Sequence, residues 1–392
     1  MKSFAWVAVL FLSIFVFSRR RPGSYLFKRD SPAFFYLHGD AESQCERKSA
    51  PDLKFCEDAA FWEIHEEATG STRSDIIISC DPGRGEWNTV MGPLRDPGPH
   101  GVLWLLSAEK DAVPQRILKE NYPPNHDFHP LGIAIWPSRG NSPSNLFVVN
   151  HARKRSVIEQ FIISPKNPGV ATHVRTISSA YLVSPNSIAL TSPSSFYVSN
   201  DHLMTRRLPG GLGNVLPLLE TFLTLPLGWV SHISLDPAAH TPILEHKFAA
   251  FGIPFANGVS ISPSGSEIAI ASSTTSEVRI YSRDPITNAL TRTHTVPVPF
   301  CPDNLDYDAA GTLIASGHPH FPSLIKVKND PANTKSPSWV VAINQTHNVE
   351  TLFQSDGTYF SSSATGLRDA TTGALVVSGL YESGVLVCRP AP

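Results

Sequence analysis

FANGVSISPSGSEIAIASS, residues Phe255–Ser273, reads as a β-hairpin. Val259 and Ile261, then Ile268 and Ile270, alternate with small or polar residues at the period of two that half-buried strands require, and Pro263-Ser264-Gly265 supplies the turn. Asn257-Gly258 stands just before the first strand, where a side-chain oxygen at the strand mouth is free to bind. The same pattern returns along the chain. In CEDAAFWEIHEEATGSTRSDIIISCD, Glu57-Asp58 hold the mouth, Ala60 to Ile64 form the first strand, Thr69-Gly70-Ser71 turn, and Ile76 to Cys80 form the second. LGIAIWPSRGNSPSNLFVVNH from Gly132, NSIALTSPSSFYVSNDH from Asn186, DNLDYDAAGTLIASGHPH from Asn304 and SATGLRDATTGALVVSGLY from about Ala364 are the remaining copies, the last being the weakest.

Six copies of one hairpin, with a further strand or two between them, predict a repeat architecture. Radial repetition of four-stranded blades makes this an all-β, six-bladed β-propeller over residues 22–392. The spacing is too long and irregular for a linear solenoid, and a β-sandwich does not explain the recurring hairpin. Composition agrees: Pro 34 and Gly 25 interrupt the chain every few residues, and no long amphipathic helical stretch stands out. The 32 basic residues are balanced by 34 acidic ones, so neither nucleic acid nor an anionic membrane surface is an expected partner.

The N-terminus differs in kind. Phe4–Phe17 is an apolar run behind Lys2 and ahead of Arg19-Arg20-Arg21; at about 1.5 Å per residue it reaches roughly 21 Å, short of a bilayer span. Residues 1–21 read as a secretory signal peptide or a signal anchor, the anchor bringing membrane or lipid association through this segment. The expected location is the secretory pathway, either secreted or anchored outside the cell. Of five cysteines, Cys45 and Cys388 lie before the first copy and after the last, placed to tie the N-terminal and C-terminal strands into one blade and close the ring. Cys56, Cys80 and Cys301 are expected as buried thiols, and no C-x-x-C pair suggests a zinc or redox site. Asn344-Gln345-Thr346 is a glycosylation sequon, consistent with secretion.

In a propeller the innermost strands start on one face beside the axis, so the residues before them converge. Those residues are Glu57-Asp58, Asn186, Asn257 and Asp303-Asn304, all oxygen donors. Carboxylate and amide oxygens without sulfur suit calcium, which takes about six to eight oxygen ligands in flexible geometry. Asn and Asp are also the ordinary turn formers before strands, but their recurrence in register points to a metal. His151, His202, His318 and His320 collect at the ends of second strands, the first three at matching places, as candidate bases or polarising groups. No G-x-S-x-G elbow, phosphate loop or H-E-x-x-H occurs, so hydrolysis would be metal-based.

The stretches VVNHARKRSVIEQF, SPNSIAL with FYVSNDH, FANGVSISPSG and DNLDYDAAG with GHPH resemble, in order and spacing, the serum paraoxonase/arylesterase family of calcium-dependent lactonases, from about Cys45 to Cys388. The resemblance implies a six-bladed propeller, its ends joined by a disulfide, with two central calcium ions. It implies Glu57, Asn186, Asn257, Asp303 and Asn304 as ligands of the catalytic calcium. For the structural calcium it implies Asp58 and the Ile133 carbonyl, but the second aspartate position is Ser187, so one firmly held ion is expected. His151 matches the outer member of the family's histidine dyad, while the inner member, the general base, falls on Leu131; His129 lies two residues away, with little expectation that it reaches the same point. His202 and His318 resemble the family's other channel histidines. Calcium would then polarise the carbonyl of a lactone or aryl ester and stabilise the oxyanion formed by attacking water, with Asp303 or His202 as base.

Leu131 and Ser187 favour the alternative, a non-catalytic calcium-stabilised propeller acting as a binding module. A strictosidine synthase-like condensing propeller fits the FANG and DN mouths less well. Distant gluconolactonase and senescence-marker propellers use one metal, so Ser187 need not abolish catalysis. Substrate choice is expected to lie in Gly83–Gly101 and Leu203–Lys247, whose LGNVLPLLETFLTLPLGWV part reads as a packed crossover, or as a lid or membrane-contacting segment. The chain is expected to act as a monomer on a small lactone or ester.

Overall fold

The computed structural model describes residues 31–391 other than 40, 67–68, 96–97, 99, 108, 110 and 237–242. The proposed signal segment, residues 1–21, lies outside the described residues. The fold is all-β and propeller-like. Every sequence copy forms an antiparallel hairpin: Cys56–His65 with Thr72–Cys80, Pro130–Ile135 with Ser144–Asn150, Pro185–Ser192 with Ser195–Asn200, Ala256–Ile261 with Glu267–Ser272, Cys301–Tyr307 with Leu313–His318, and Ser363–Arg368 with Leu375–Gly379. Each hairpin is extended outward by further strands. The third copy adds Gly228–Leu235 and Ile243–Ile253, and the fourth adds Glu277–Arg283 and Leu290–Pro297. The first two copies share a nine-stranded sheet, because their outer strands Gln115–Glu120 and Asn167–Ile177 pair in parallel through Leu118 and Val170.

Alternation decides how the sheets pack. Ile77 packs with Leu103, Ile133 and Phe161 against the second copy, whereas its neighbours Ile76 and Ile78 pack with Trp104, Leu367 and Val376 against the last. A strand buried on both faces reads as the continuous apolar run Ile76-Ile77-Ile78. Further cores join the second copy to the third, the third to the fourth, the fourth to the fifth and the fifth to the sixth.

The chain ends meet as expected. Cys45–Lys48 pairs antiparallel with Val385–Cys388 in the last sheet, with Cys45 opposite Cys388 and a disulfide between them. The passage before Phe55, which reads as polar and irregular, also lends Phe35–Tyr36 to the edge of the fifth sheet. Cys56 and Cys80 are not free thiols, as the sequence suggests, but a second disulfide. They face each other across the first hairpin, a pairing invisible until the register is known. Cys301 is the free, buried cysteine. Two disulfides suit an oxidising compartment, and no helix among the described residues is long and apolar enough to cross a membrane. Asn344 sits in an exposed turn, its side-chain oxygen accepting from Thr346 and Asn348.

One polar cluster lies inside the second sheet. Glu159, 0% exposed, accepts hydrogen bonds from His126, His173, Asn150 and Thr176. Burial raises its pKa, but those four bonds outweigh it and bring the carboxyl down to about 2; the bond to Glu159 in turn raises His126. A depressed carboxylate stabilises above its unfolded pKa, and that contribution fades as pH falls toward 2. His126 works the other way, stabilising below its unfolded pKa and losing the effect as pH rises through its folded value. Glu159→Gln is expected to lower stability at pH 6 by on the order of 3 kcal/mol and to flatten the decline between pH 5 and 2 in thermal melts; an unchanged acid limb would remove this account.

Candidate active site

Each innermost strand carries the same irregularity at its start. In the first copy Glu57 is an extra residue between the pairs Cys56–Cys80 and Asp58–Ser79. In the other five copies two residues face one: Leu131-Gly132, Asn186-Ser187, Asn257-Gly258, Asp303-Asn304 and Ala364-Thr365. A β-bulge kinks its strand and re-aims the extra side chain, so residues that strict alternation would send into the sheets' cores turn toward the shared cavity. Glycine in the bulge lets neighbouring strands approach: a Cβ on Gly132 would stand 2.2 Å from the Asn186 carbonyl oxygen, and one on Gly258 2.6 Å from that of Asp303. Gly258→Ala therefore forces backbone apart and is expected to cost roughly 1–3 kcal/mol, read as a lower denaturation midpoint; an unchanged midpoint would contradict the close approach.

Glu57, Asn186, Asn257 and Asp303 line one cavity, and Asn304 bonds directly to Glu57. The three asparagines behave alike. Asn186 Nδ2 donates to Asp201 Oδ2 at 3.3 Å, Asn257 Nδ2 to Asp303 Oδ1 at 2.7 Å, and Asn304 Nδ2 to Glu57 Oε1 at 3.1 Å. Each spends its NH₂ on a carboxylate and leaves its carbonyl oxygen over. Asn186 Oδ1, Asn257 Oδ1, Asn304 Oδ1 and Glu57 Oε2 are all buried without a hydrogen-bond partner. Such orphans cost about 1–3 kcal/mol apiece, and four acceptors from the predicted ligand set form a donor set that fits a hard cation. Burial, then Asp58 and Asp303, push Glu57 well above the carboxylate range, outweighing the opposing pull of Arg84 and of the Asn304 hydrogen bond. Among the described residues no three His, Cys, Asp or Glu side chains gather as metal ligands; three of the four orphaned acceptors are amides.

The second predicted metal set looks different. Asp58 Oδ2 accepts the Ile133 N–H at 2.9 Å, and Oδ1 accepts from Ala59 N–H and Thr365 Oγ1. Both of its oxygens are thus satisfied, and Ile133 meets Asp58 through its N–H. Ser187 Oγ, where the resemblance expects a carboxylate, accepts the Val259 N–H at 3.2 Å. Burial raises Asp58 to about 7.

The histidines are not equivalent in the way their sequence spacing suggests. In five of the six copies the residue after the second strand returns an N–H to the residue before the innermost strand: Asp81 to Phe55, His151 to His129, Asp201 to Ser184, Ser273 to Phe255 and Leu380 to Ser362. By this register His151 corresponds to Asp81 and Asp201, while His202 lies one residue beyond and His318 is still inside its strand. His151 Nε2 donates to the Pro185 carbonyl at 2.7 Å and Nδ1 accepts from Thr89 at 2.5 Å; burial lowers it to about 4. His202 Nδ1 donates to Asp201 Oδ1 and Nε2 pairs with Thr221 Oγ1 at 2.8 Å. His318 Nε2 donates to Asp303 Oδ2 at 3.0 Å. His320 pairs with Ser323 at the start of a helix.

His129, which the sequence expects to fall short, does line the cavity, as does Leu131. Asp81, Arg84 and Asp201 also line it, although the strand mouths do not single them out. Both aspartates stand one residue beyond a second strand, so the ends of the second strands carry a signal like that at the beginnings of the first. The cover comes from the segments that carry no motif. Trp87 to Met91 lines the cavity from the first, the helix Phe321–Asn329 lines it through Phe321 and Leu324, and the helix Leu212–Phe222 packs on that helix through Phe222 and Phe321. Leu212–Phe222 is packed on one side: Glu220 and Thr221 are buried and tie down residues Leu203, Met204 and His202, while Leu212, Val215, Leu218 and Leu219 are exposed.

A solved luciferin-regenerating enzyme shares the fold over 88% of this chain and 95% of its own, with TM-score 0.50 and 11% identity. Serum paraoxonase/lactonase 3 of Oryctolagus cuniculus is 27% identical over 294 residues, 74% of this chain and 75% of that protein. Serum paraoxonase/arylesterase 2 of Homo sapiens is 26% identical over 287 residues, 72% of this chain and 75% of that protein. The arylesterase family model matches residues 97–386, and that span contains five of the six hairpins and most of the cavity wall, so the chain belongs to the arylesterase family.

Proposed function

We propose that this chain hydrolyses lactones or aryl esters at a single calcium ion held at the bottom of its central cavity. As an arylesterase family member it is an ester and lactone hydrolase, like the relatives named for those activities. The observation that carries the calcium reading is the set of four orphaned buried oxygens on Glu57, Asn186, Asn257 and Asn304. Those groups and Asp303 would hold the ion. When bound, it supplies a positive charge that polarises an ester carbonyl and stabilises the developing oxyanion. The protein's own part is orientation: Asn257 and His318 fix the two oxygens of Asp303, and Trp87, Phe255 and Phe321 give the substrate an apolar wall. His151 and His202, with both ring nitrogens engaged, serve as supports of that wall. Asp58, satisfied by hydrogen bonds, leaves no need for a second ion.

The blades are read as six, closed by the Cys45–Cys388 blade. Support comes from the six hairpins and from apolar cores that link each to the next and the last to the first. Release through the secretory pathway is part of the same reading, supported by the two disulfides. The test is a panel of lactones and phenyl acetate assayed with calcium and with EGTA. Turnover lost on chelation and restored by calcium is expected; a calcium-raised melting temperature without turnover would make the chain a binding module.

A further inference from the structure

We propose that His129, oriented by Asp81, is the general base of this hydrolase, an assignment that rests on the cavity hydrolysing esters. His129 is 1% exposed and stands in the cavity wall with Glu57, Asn257 and Asp303. Its Nδ1 lies 2.9 Å from Asp81 Oδ2, and Asp81, equally buried, is held by the Gly83 N–H on its other oxygen. A carboxylate on Nδ1 keeps the proton there and leaves the lone pair on Nε2. That Nε2 is buried with no hydrogen-bond partner.

The ring is held in place from several sides. The His129 N–H donates to Asn150 Oδ1 at 2.8 Å, and its carbonyl accepts the His151 N–H at 3.0 Å. Trp87 packs on the ring, 5.9 Å between centroids, and His100 stands edge-on at 5.8 Å. The corresponding place in four other copies is Phe55, Ser184, Phe255 or Ser362, none of them a titratable group. Of the other cavity histidines, His151 has both nitrogens engaged, and His318 is bound to Asp303, a member of the oxygen ring. Charged and titratable groups facing His129 are Asp81, Asp127 Oδ2 at 3.7 Å from Nε2, and His100, with Lys119, Arg84 and Arg207 behind them. Asp127 itself accepts the Arg153 N–H.

In the reaction, Nε2 takes a proton from water as the water oxygen bonds to the acyl carbon, and Asp81 stabilises the imidazolium. Breaking the acyl C–O bond then expels the alkoxide, and His129 returns the proton to it. An ester gives one acid and one alcohol, a lactone one hydroxy acid.

The test is His129→Gln and Asp81→Asn in the full chain, assayed on phenyl acetate and lactones from pH 5 to 9 beside melting curves. His129→Gln is expected to lose about 10²–10⁴ in kcat with little change in KM, and to lose the acid limb of the pH profile. Asp81→Asn is expected to lower kcat less and to move the acid limb to lower pH, since the carboxylate favours the protonated ring; a merely structural pair would leave that limb in place. A folded His129→Gln within threefold of wild type with the same acid limb overturns the assignment. Should that variant fail to fold, an unmoved acid limb in Asp81→Asn overturns it. Wild-type protein inactive on every ester and lactone overturns the hydrolase reading and the base with it, whereas turnover that survives both substitutions overturns the base alone.

Discussion

Glu57→Ala is expected to purify as a folded protein and to lose about 10²–10³ or more of its ester and lactone turnover, the scale set by removing one oxyanion-stabilising contact. The substitution removes the orphaned Oε2 and leaves Asn304, whose NH₂ now bonds to Glu57, to reorient. Asn257→Ala should act similarly, because it removes a free oxygen and unties Asp303. The second readout is independent of turnover. Calcium at about 100 times its Kd stabilises a protein that binds it only when folded by roughly 2.7 kcal/mol, and that gain should vanish in both variants. Full activity together with an undiminished calcium-dependent melting shift in Glu57→Ala would sink the metal reading.

Loss of the closing disulfide is expected to be the most damaging change to stability. Cys45 and Cys388 are separated by 343 residues, and Cys56 and Cys80 by 24. The loop-entropy account credits the first with roughly 6 kcal/mol and the second with about 3.5, upper figures since native strain lowers both. Cys45→Ser also frees the outer strand of the last sheet, where Arg47 donates to the carbonyls of Ser383 and Tyr359 and pairs with Glu382. Cys45→Ser should therefore shift the denaturant midpoint more than Cys56→Ser under non-reducing conditions. The reverse order would mean that the last sheet holds its outer strand without the covalent link.

Much of this was written locally. Alternation and turn chemistry in FANGVSISPSGSEIAIASS gave the hairpin, with Gly265 at the turn in the left-handed conformation (φ 70°). Repetition of that unit gave the all-β architecture, and reading the same place in each copy gave Glu57, Asn186, Asn257, Asp303 and Asn304. Recurrence is a property of order along the chain, so it needs no coordinates. The bulges were not legible, though they are what turns these side chains inward: a bulge is an offset between two strands, and neither strand alone records it.

The sequence by itself determined the hairpin, its recurrence, the oxygen donors at the strand mouths and the joining of the ends through Cys45 and Cys388. Only the tertiary structure decided that Cys56 faces Cys80, that Asp201 rather than His202 is the counterpart of His151, and that His129 meets Asp81 across 48 residues. The physical reason is common to all three. Residue type and periodicity depend on each strand's own burial, whereas a partner depends on the register between strands, which is fixed by backbone hydrogen bonds formed only when the sheets assemble.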